Sequence, residues 1–530
     1  MNKKWIWATP VAIAAALTLS GCGGDDNSTP STPSNLSAVK NVVVIYAENR
    51  SFDNLYGNFP GANGLQNVTA ANAQQLDRDG SVMATLPPVW NNLTQTGVTP
   101  VITQAMTASL ANAPFAIDDA NGFNLPLSAA TRDLVHRFYQ NQMQIDGGKN
   151  DRFAAWGDSG ALVMGHYAQN ANTLPLWKIA QQYTLADNFF MGAFGGSFLN
   201  HQWLVCACTP FYPNANTSAA ANNISQVNAD GVTLTLAGDS PTSAITGVPK
   251  FAKDLALTPD FYAVNTMQPP YQPSTNKPAS GGDPNLADPG INSTLPPQTQ
   301  QHIGDLLNAA NVSWAWYGGA WGAALSAAQN GTTGVISGPN LSSPNFQTHH
   351  QPLNYFADLA PGTQNRTQHL LDGGLNGSEF IKAIDAGTLP QVAFYKPQGN
   401  LNEHAGYTDV AQGDQHIADV ISHLQKSPQW NNMVVVVTYD ENGGFWDHVA
   451  PPKGDRWGPG SRIPALIVSP YAKKGFVDHT QYDTTSILRF ITHRFSLPSL
   501  AGLTSRDQAL VAAGGQPMGD LTNALDFTQK

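Results

Sequence analysis

Residues 432–452 read NMVVVVTYDENGGFWDHVAPP. Val434–Val437 is an unbroken β-branched run, too short to stand as a helix and apolar on both faces. Such a run fits a buried central strand of a parallel sheet, covered above and below. Asp440 and Glu441 follow at once, and Asn442-Gly443-Gly444 then breaks the regular backbone. Neighbouring side chains inside a strand point to opposite faces, but where the chain turns at the strand's end they can converge. In open α/β sheets, ligands bind at the carboxyl ends of strands. Two carboxylates meeting there repel unless a cation lies between them or one keeps its proton. The plain alternative is an acidic turn that caps the next element.

The same logic occurs near the start. Val42–Tyr46 is an apolar strand, and Ala47, Glu48 and Asn49 follow it directly. Together Glu48, Asn49, Asp440 and Glu441 offer an all-oxygen site for one divalent cation, with Ca²⁺, Mg²⁺ or Mn²⁺ preferred to zinc. Two unrelated polar strand ends would read the same way. Ser197 follows Gly195-Gly196 and opens a segment of helical character, Phe198–Val205. A helix N-terminus behind two glycines lets a phosphate approach free N–H groups. A metal beside Ser197 would make its hydroxyl a useful nucleophile, whereas the alternative is an ordinary N-cap serine. His136, His350, His404 and His448 lie near strand ends or in polar loops. Imidazoles there can donate to phosphate oxygens and protonate a leaving group, although a lone histidine is more often structural.

Taken in order, Thr131–Phe153 carries a helical pattern that includes His136, Leu176–Tyr183 a helix and Leu185–Phe190 a short strand. From Gln298 onward helices alternate with strands. Ile303–Ala310, Ser378–Ala386, Gly413–Lys426 and Thr484–Phe495 read as helices, and Val312–Tyr317, Gln391–Tyr395 and Ile463–Val468 as strands. This rhythm defines an α/β fold with a mostly parallel central sheet between helices. Residues 59–126 and 209–297 are Asn-, Thr- and Pro-rich insertions without periodicity, and Gly502–Lys530 is a weakly patterned tail.

The N-terminus has Lys3-Lys4, an apolar run over Trp5–Leu19, then Leu19-Ser20-Gly21-Cys22. This resembles a lipoprotein signal, with residues 1–21 removed, Cys22 acylated and 22–38 a flexible tether to the membrane. A plain secretory signal is the alternative. Gly23 after the cysteine points to the outer membrane, facing the periplasm or the cell surface. The remainder, 39–530, is expected to be a single domain. The whole chain has 26 Lys and Arg against 37 Asp and Glu, a formal charge of −11 that becomes −13 when Lys3 and Lys4 leave. An acidic exported protein is a poor nucleic-acid binder. Cys206 and Cys208 read as buried thiols, too close for an easy disulfide.

VVVIYAENRSFDNLYG (42–57), TLADNFFMGAFGGSFLNHQ (184–202), HHQP (349–352), NEH (402–404) and VVVTYDENGGFWDHVAPP (435–452) together resemble the bacterial acid phosphatase and phospholipase C phosphoesterases of the alkaline phosphatase superfamily. The resemblance implies the alkaline-phosphatase-like fold, metal binding by Glu48, Asn49, Asp440 and Glu441, and Ser197 as nucleophile. It places His136, His350 and His404 around the phosphate; Asn200, three residues after Ser197, and His448 are read as contacts to the substrate. Family members commonly have Pro-Asn-Arg after the nucleophile, where this chain has Leu199-Asn200-His201. The chain stops soon after the core, which favours the phosphatase branch: hydrolysis of a small phosphate monoester through a phosphoserine. Phospholipase C-type cleavage of a phospholipid, or binding of phosphorylated ligands without turnover, are the alternatives.

Overall fold

The computed structural model describes residues 35–332 and 334–529, so the signal, Cys22 and the first part of the tether lie outside it. Eight strands form the central sheet: β1 (Asn41–Ala47), β2 (Thr184–Ala186), β3 (Trp314–Gly319), β4 (Leu370–Gly374), β5 (Val392–Lys396), β6 (Met433–Tyr439), β7 (Ala465–Val468) and β8 (Phe476–Asp478). Their order is β8-β2-β7-β6-β1-β5-β3-β4. All run parallel except β7, which is antiparallel to β6 and β2. Every residue of β1 and β6 is buried, as their two-faced apolar character requires.

The register of these central strands places the site. Asn41 pairs with Met433 and the pairing runs in step to Ala47 opposite Tyr439. Glu48-Asn49 and Asp440-Glu441 therefore leave the sheet side by side, one strand spacing of about 4.8 Å apart. On the other side of β1, Ile45 pairs with Tyr395, so Lys396 and the loop after it open onto the same edge.

Several expectations need correction. The helix expected over Thr131–Phe153 covers only Phe138–Ile145, and His136 lies in the extended lead-in. Side chains draw that backbone out: Asp158 accepts from Val135 N and Asn265 from Phe138 N. The Leu185–Phe190 strand divides into Thr184–Ala186 and Phe189–Phe190, because Asp187 between them accepts from Asn63 N and His479. The tail contains a helix, Ala501–Ala512, whose buried Leu503, Arg506 and Leu510 fall on one face. Edge strand β4 and the Trp321–Gln329 helix had no counterpart in the sequence reading. Residues 59–126 and 209–297 contain no helix or strand longer than five residues.

Cys206 and Cys208 are joined in a disulfide, not left as thiols. Ala207 caps the Ser197–Cys206 helix in the left-handed conformation, at φ 47°. That bend brings the flanking Cα atoms to 5.1 Å, within disulfide range despite the single intervening residue. Among the described residues no helix is long and apolar enough to cross a membrane.

Candidate active site

Ser197 is the first residue of the Ser197–Cys206 helix, and the glycines before it are required by packing. A side chain at Gly196 would meet the carbonyl oxygen of His136 at 2.5 Å. The bare backbone thus lets the 134–138 segment lie against the helix start and brings His136 to Ser197. Asn200 expresses the same local constraint. Its side-chain amide accepts from Ala193 N and donates to the carbonyls of Ala193 and Gly196. It is fully buried. The structure therefore gives Asn200 the task of shaping the nucleophile loop, in place of the expected contact with substrate.

The Ser197 hydroxyl lies 3.3 Å from Glu441 Oε1 and 3.4 Å from Asn49 Oδ1. Asn49 adopts φ 66°, a left-handed conformation that asparagine tolerates, and its backbone N–H donates to Asp440 Oδ1. A side chain at Gly443 would collide with the Asn49 carbonyl, so glycine allows the two strand-end turns to close together. His136 completes this arrangement. Its Nδ1 lies 2.6 Å from the Leu134 carbonyl, which makes Nδ1 the protonated nitrogen. Nε2 is then free to accept from Asn49 Nδ2 at 3.3 Å, turning Asn49 Oδ1 toward Ser197.

Electrostatically this cluster is incomplete. Asp440, Glu441 and Glu48 are all fully buried. Burial pushes Asp440 up to about 7, with the charge of Glu48 adding to the shift and Lys396 opposing it. Glu441 is pushed well above the usual carboxylate range by burial and by Asp440. Asp440 Oδ2 has no hydrogen-bond partner among the described residues. Unpaired buried carboxylate oxygens beside a serine and an amide oxygen match the donor set of a hard divalent cation. Asn49, Asp440 and Glu441 are placed to hold one.

Glu48 is placed differently from the other three. Its Oε1 lies 2.5 Å from His350 Nε2 and 2.9 Å from Lys396 Nζ, and Oε2 accepts from Asn402 Nδ2 at 2.7 Å. Burial opposes its charge, but His350 and Lys396 hold it well below the ordinary range. Oε1 makes these ion-pair contacts without a well-formed hydrogen bond, and Glu48, His201 and His350 lie close enough together to hold a metal ion, so Glu48 is a charged neighbour of the cluster that keeps an oxygen a cation could use.

In front of Ser197 is a cavity of about 420 Å³ lined by His136, His349 and His404 among others. His350, expected at the phosphate, is turned onto Glu48, and its neighbour His349 lines the cavity instead. The HHQP motif showed that one histidine belongs here, but adjacent positions cannot be told apart without the backbone turn at Thr348–His350. Burial depresses His404 and His349 below the usual imidazole range and takes His350 down to about 4. His448 is not at this cavity. Its Nδ1 is 2.7 Å from Asp53 Oδ2, inside a network closed by Arg462 and Asp447.

Sequence reasoning also missed His201 and Lys396. His201 Nδ1 lies 2.7 Å from the Ser197 carbonyl and 3.7 Å from Asp440 Oδ2. Its place one turn after Ser197 was the available signal. A lysine ending the buried strand β5 was the signal for Lys396.

A serine at a helix start, backed by buried carboxylates at the carboxyl edge of a mostly parallel sheet, is the machinery of a phosphoric ester hydrolase. The profile of the Phosphoesterase family matches residues 39–498, and the chain belongs to that family. Phospholipase C B of Mycobacterium tuberculosis is 24% identical over 93% of this chain and 79% of its own length. A non-hemolytic phospholipase C from Burkholderia pseudomallei is 29% identical over 43% of this chain and 33% of its own. Non-specific phospholipase C6 of Arabidopsis thaliana is 33% identical over 24% of this chain and 30% of its own. Among solved structures, an alkaline phosphatase superfamily protein from Vibrio parahaemolyticus has a TM-score of 0.31 at 10% identity, covering 63% of each chain, a likeness too slight to bear on function.

Proposed function

We propose that this enzyme hydrolyses phosphodiesters in the manner of a phospholipase C, with Ser197 as nucleophile. The observation that carries this reading is the charge of the cavity wall. Its two arginines are already committed: Arg132 pairs with Asp158 at 3.1 Å, and Arg137 with Asp254 at 3.0 Å. Among the described lining residues there is no free ammonium or guanidinium to match a second phosphate charge. A diester carries one negative charge and a monoester close to two. The names of the curated relatives agree with the diester and reverse the order in which the chain's ending ranked the two branches.

Ser197 Oγ attacks phosphorus as its proton passes to Glu441 Oε1, which returns it when Ser197 is released. The bond from phosphorus to the leaving alcohol breaks, and the departing oxygen takes its proton from water in the cavity that His136 and His404 line. Water then releases the phosphoryl group from Ser197. Asn49, Asp440 and Glu441 would hold a divalent cation, which would supply positive charge at the nucleophile.

A monoesterase remains the second reading, favoured by the histidines. His349 and His404 are neutral near pH 7 because burial depresses both, so they gain charge only at acidic pH. Turnover of phosphatidylcholine and of an aryl phosphate monoester, each with and without chelator, separates the readings. We expect diester turnover to dominate at pH 7, to vanish with chelator, and to fall about 10⁴-fold or more in Ser197→Ala. Relative monoester turnover should rise as pH falls from 8 to 5. Monoester turnover alone at every pH would select the phosphatase, and tight ligand binding without turnover would select the non-catalytic reading.

We further propose that Cys22 is acylated and anchors the enzyme to the cell envelope, with the substrate presented at a membrane surface. Labelled fatty acid retained by the full chain and lost from Cys22→Ser is the expected result.

A further inference from the structure

Lys396 ends β5 with its side chain fully buried. Its ammonium lies 2.9 Å from Glu48 Oε1 and 3.4 Å from the Ala47 carbonyl, and 5.4 Å from the centre of the Tyr46 ring. Of the three carboxylates of this cluster (Glu48, Asp440 and Glu441), Asp440 has only His201 and Glu441 only His136 within ion-pair distance among the described residues. Lys396 is the one lysine or arginine that pairs with the group among the described residues. Charge buried away from water must be closely balanced, because an unmatched charge is strongly disfavoured there.

Within this cluster, three ionised carboxylates against one ammonium leave two negative charges. A divalent ion balances that remainder. A trivalent ion overshoots it, and without Lys396 the remainder would itself be three. We infer that Lys396 sets the ionic charge this centre accepts, selecting divalent over trivalent cations without ligating either. The inference rests on the reading of Asn49, Asp440 and Glu441 as a cation site. Lys396 is a specificity-determining residue acting through Glu48, and its effect scales with ion charge: removing a fixed positive charge favours a trivalent ion by one more unit of interaction than a divalent ion.

The test compares dissociation constants for MnCl₂ by calorimetry and TbCl₃ by luminescence on the full chain, so the readout is independent of turnover. In Lys396→Met the preference for Tb³⁺ over Mn²⁺ should rise roughly tenfold or more. In Glu48→Gln it should move the opposite way by a similar factor. The double variant Glu48→Gln/Lys396→Met, which removes one charge of each sign, should return to within about threefold of wild type. Glu48→Gln and the double variant keep the test open if Lys396→Met does not fold. Wild-type protein that binds both ions, with an unchanged preference in the variants that fold, overturns the role of Lys396 alone. Wild-type protein that binds neither ion overturns the cation site, and this inference with it.

Discussion

Asp440 and Asp447 both follow β6, and Asn49 and Asp53, the latter in the helix Phe52–Tyr56, both follow β1, yet Asp53 and Asp447 are closed by protein partners and Asp440 is not. Arg462 donates to Asp53 Oδ1 at 3.0 Å and to Asp447 Oδ1 at 3.0 Å, and His448 binds Asp53 through both its backbone N–H and Nδ1. Burial opposes the charge on Asp53, but Arg462 and His448 hold it below the ordinary range, whereas burial still pushes Asp447 up to about 6 against the pull of Arg462. Asp440, by contrast, is left with a partnerless oxygen and is pushed up to about 7 by burial. Acidic residues at strand ends therefore do not by themselves mark a site. What marks it is a buried acid whose countercharge the protein has not supplied.

Breaking the closed cluster should produce the largest effect on the fold. Arg462→Met leaves two buried carboxylates without their shared cation and should cost about 3–5 kcal/mol in denaturant unfolding. Turnover per folded molecule should stay within about threefold of wild type, because Arg462 does not reach the Ser197 cavity. A large loss of turnover with stability unchanged would erase the distinction between the clusters.

A smaller effect sharpens it. Burial opposes the charge on His448, but Asp53 raises its folded pKa above the unfolded value. A raised histidine contributes stability that is full below about pH 6.5 and is lost as pH rises through the folded value. His448→Gln should therefore cost on the order of 1 kcal/mol at pH 5.5, and the difference from wild type should narrow toward pH 9. A difference that grows with pH would place His448 outside this ion pair.

The legible parts of the molecule were those where local sequence decides structure. Val42–Tyr46 and Val434–Val437 are apolar on both faces and fit central strands, and the structure puts Glu48, Asn49, Asp440 and Glu441 at one edge of the sheet. Gly195-Gly196 before a helical segment placed Ser197 at a helix start. What escaped depended on distant partners. His448 follows a carboxylate closely in sequence, as a site residue would, but its allegiance is settled by Asp53 and Arg462, far away along the chain. The choice between His349 and His350 turns on which one meets Glu48 and Lys396. Residues 131–137 leave the helical path because Asp158 and Asn265 pull on their backbone. The tail helix was different: Leu503, Arg506 and Leu510 already held its period, but one buried position is an arginine, matched by Asp455 and Asp483.

The central claim is that the incomplete cluster takes a cation and the closed one does not. Calorimetric titration of MnCl₂ into wild type, Glu441→Gln and Asp447→Asn, each shown to be folded, tests it most directly. The account predicts binding in wild type, binding weakened at least tenfold in Glu441→Gln, and binding within about threefold of wild type in Asp447→Asn. Undiminished binding in Glu441→Gln, with loss in Asp447→Asn, would contradict it.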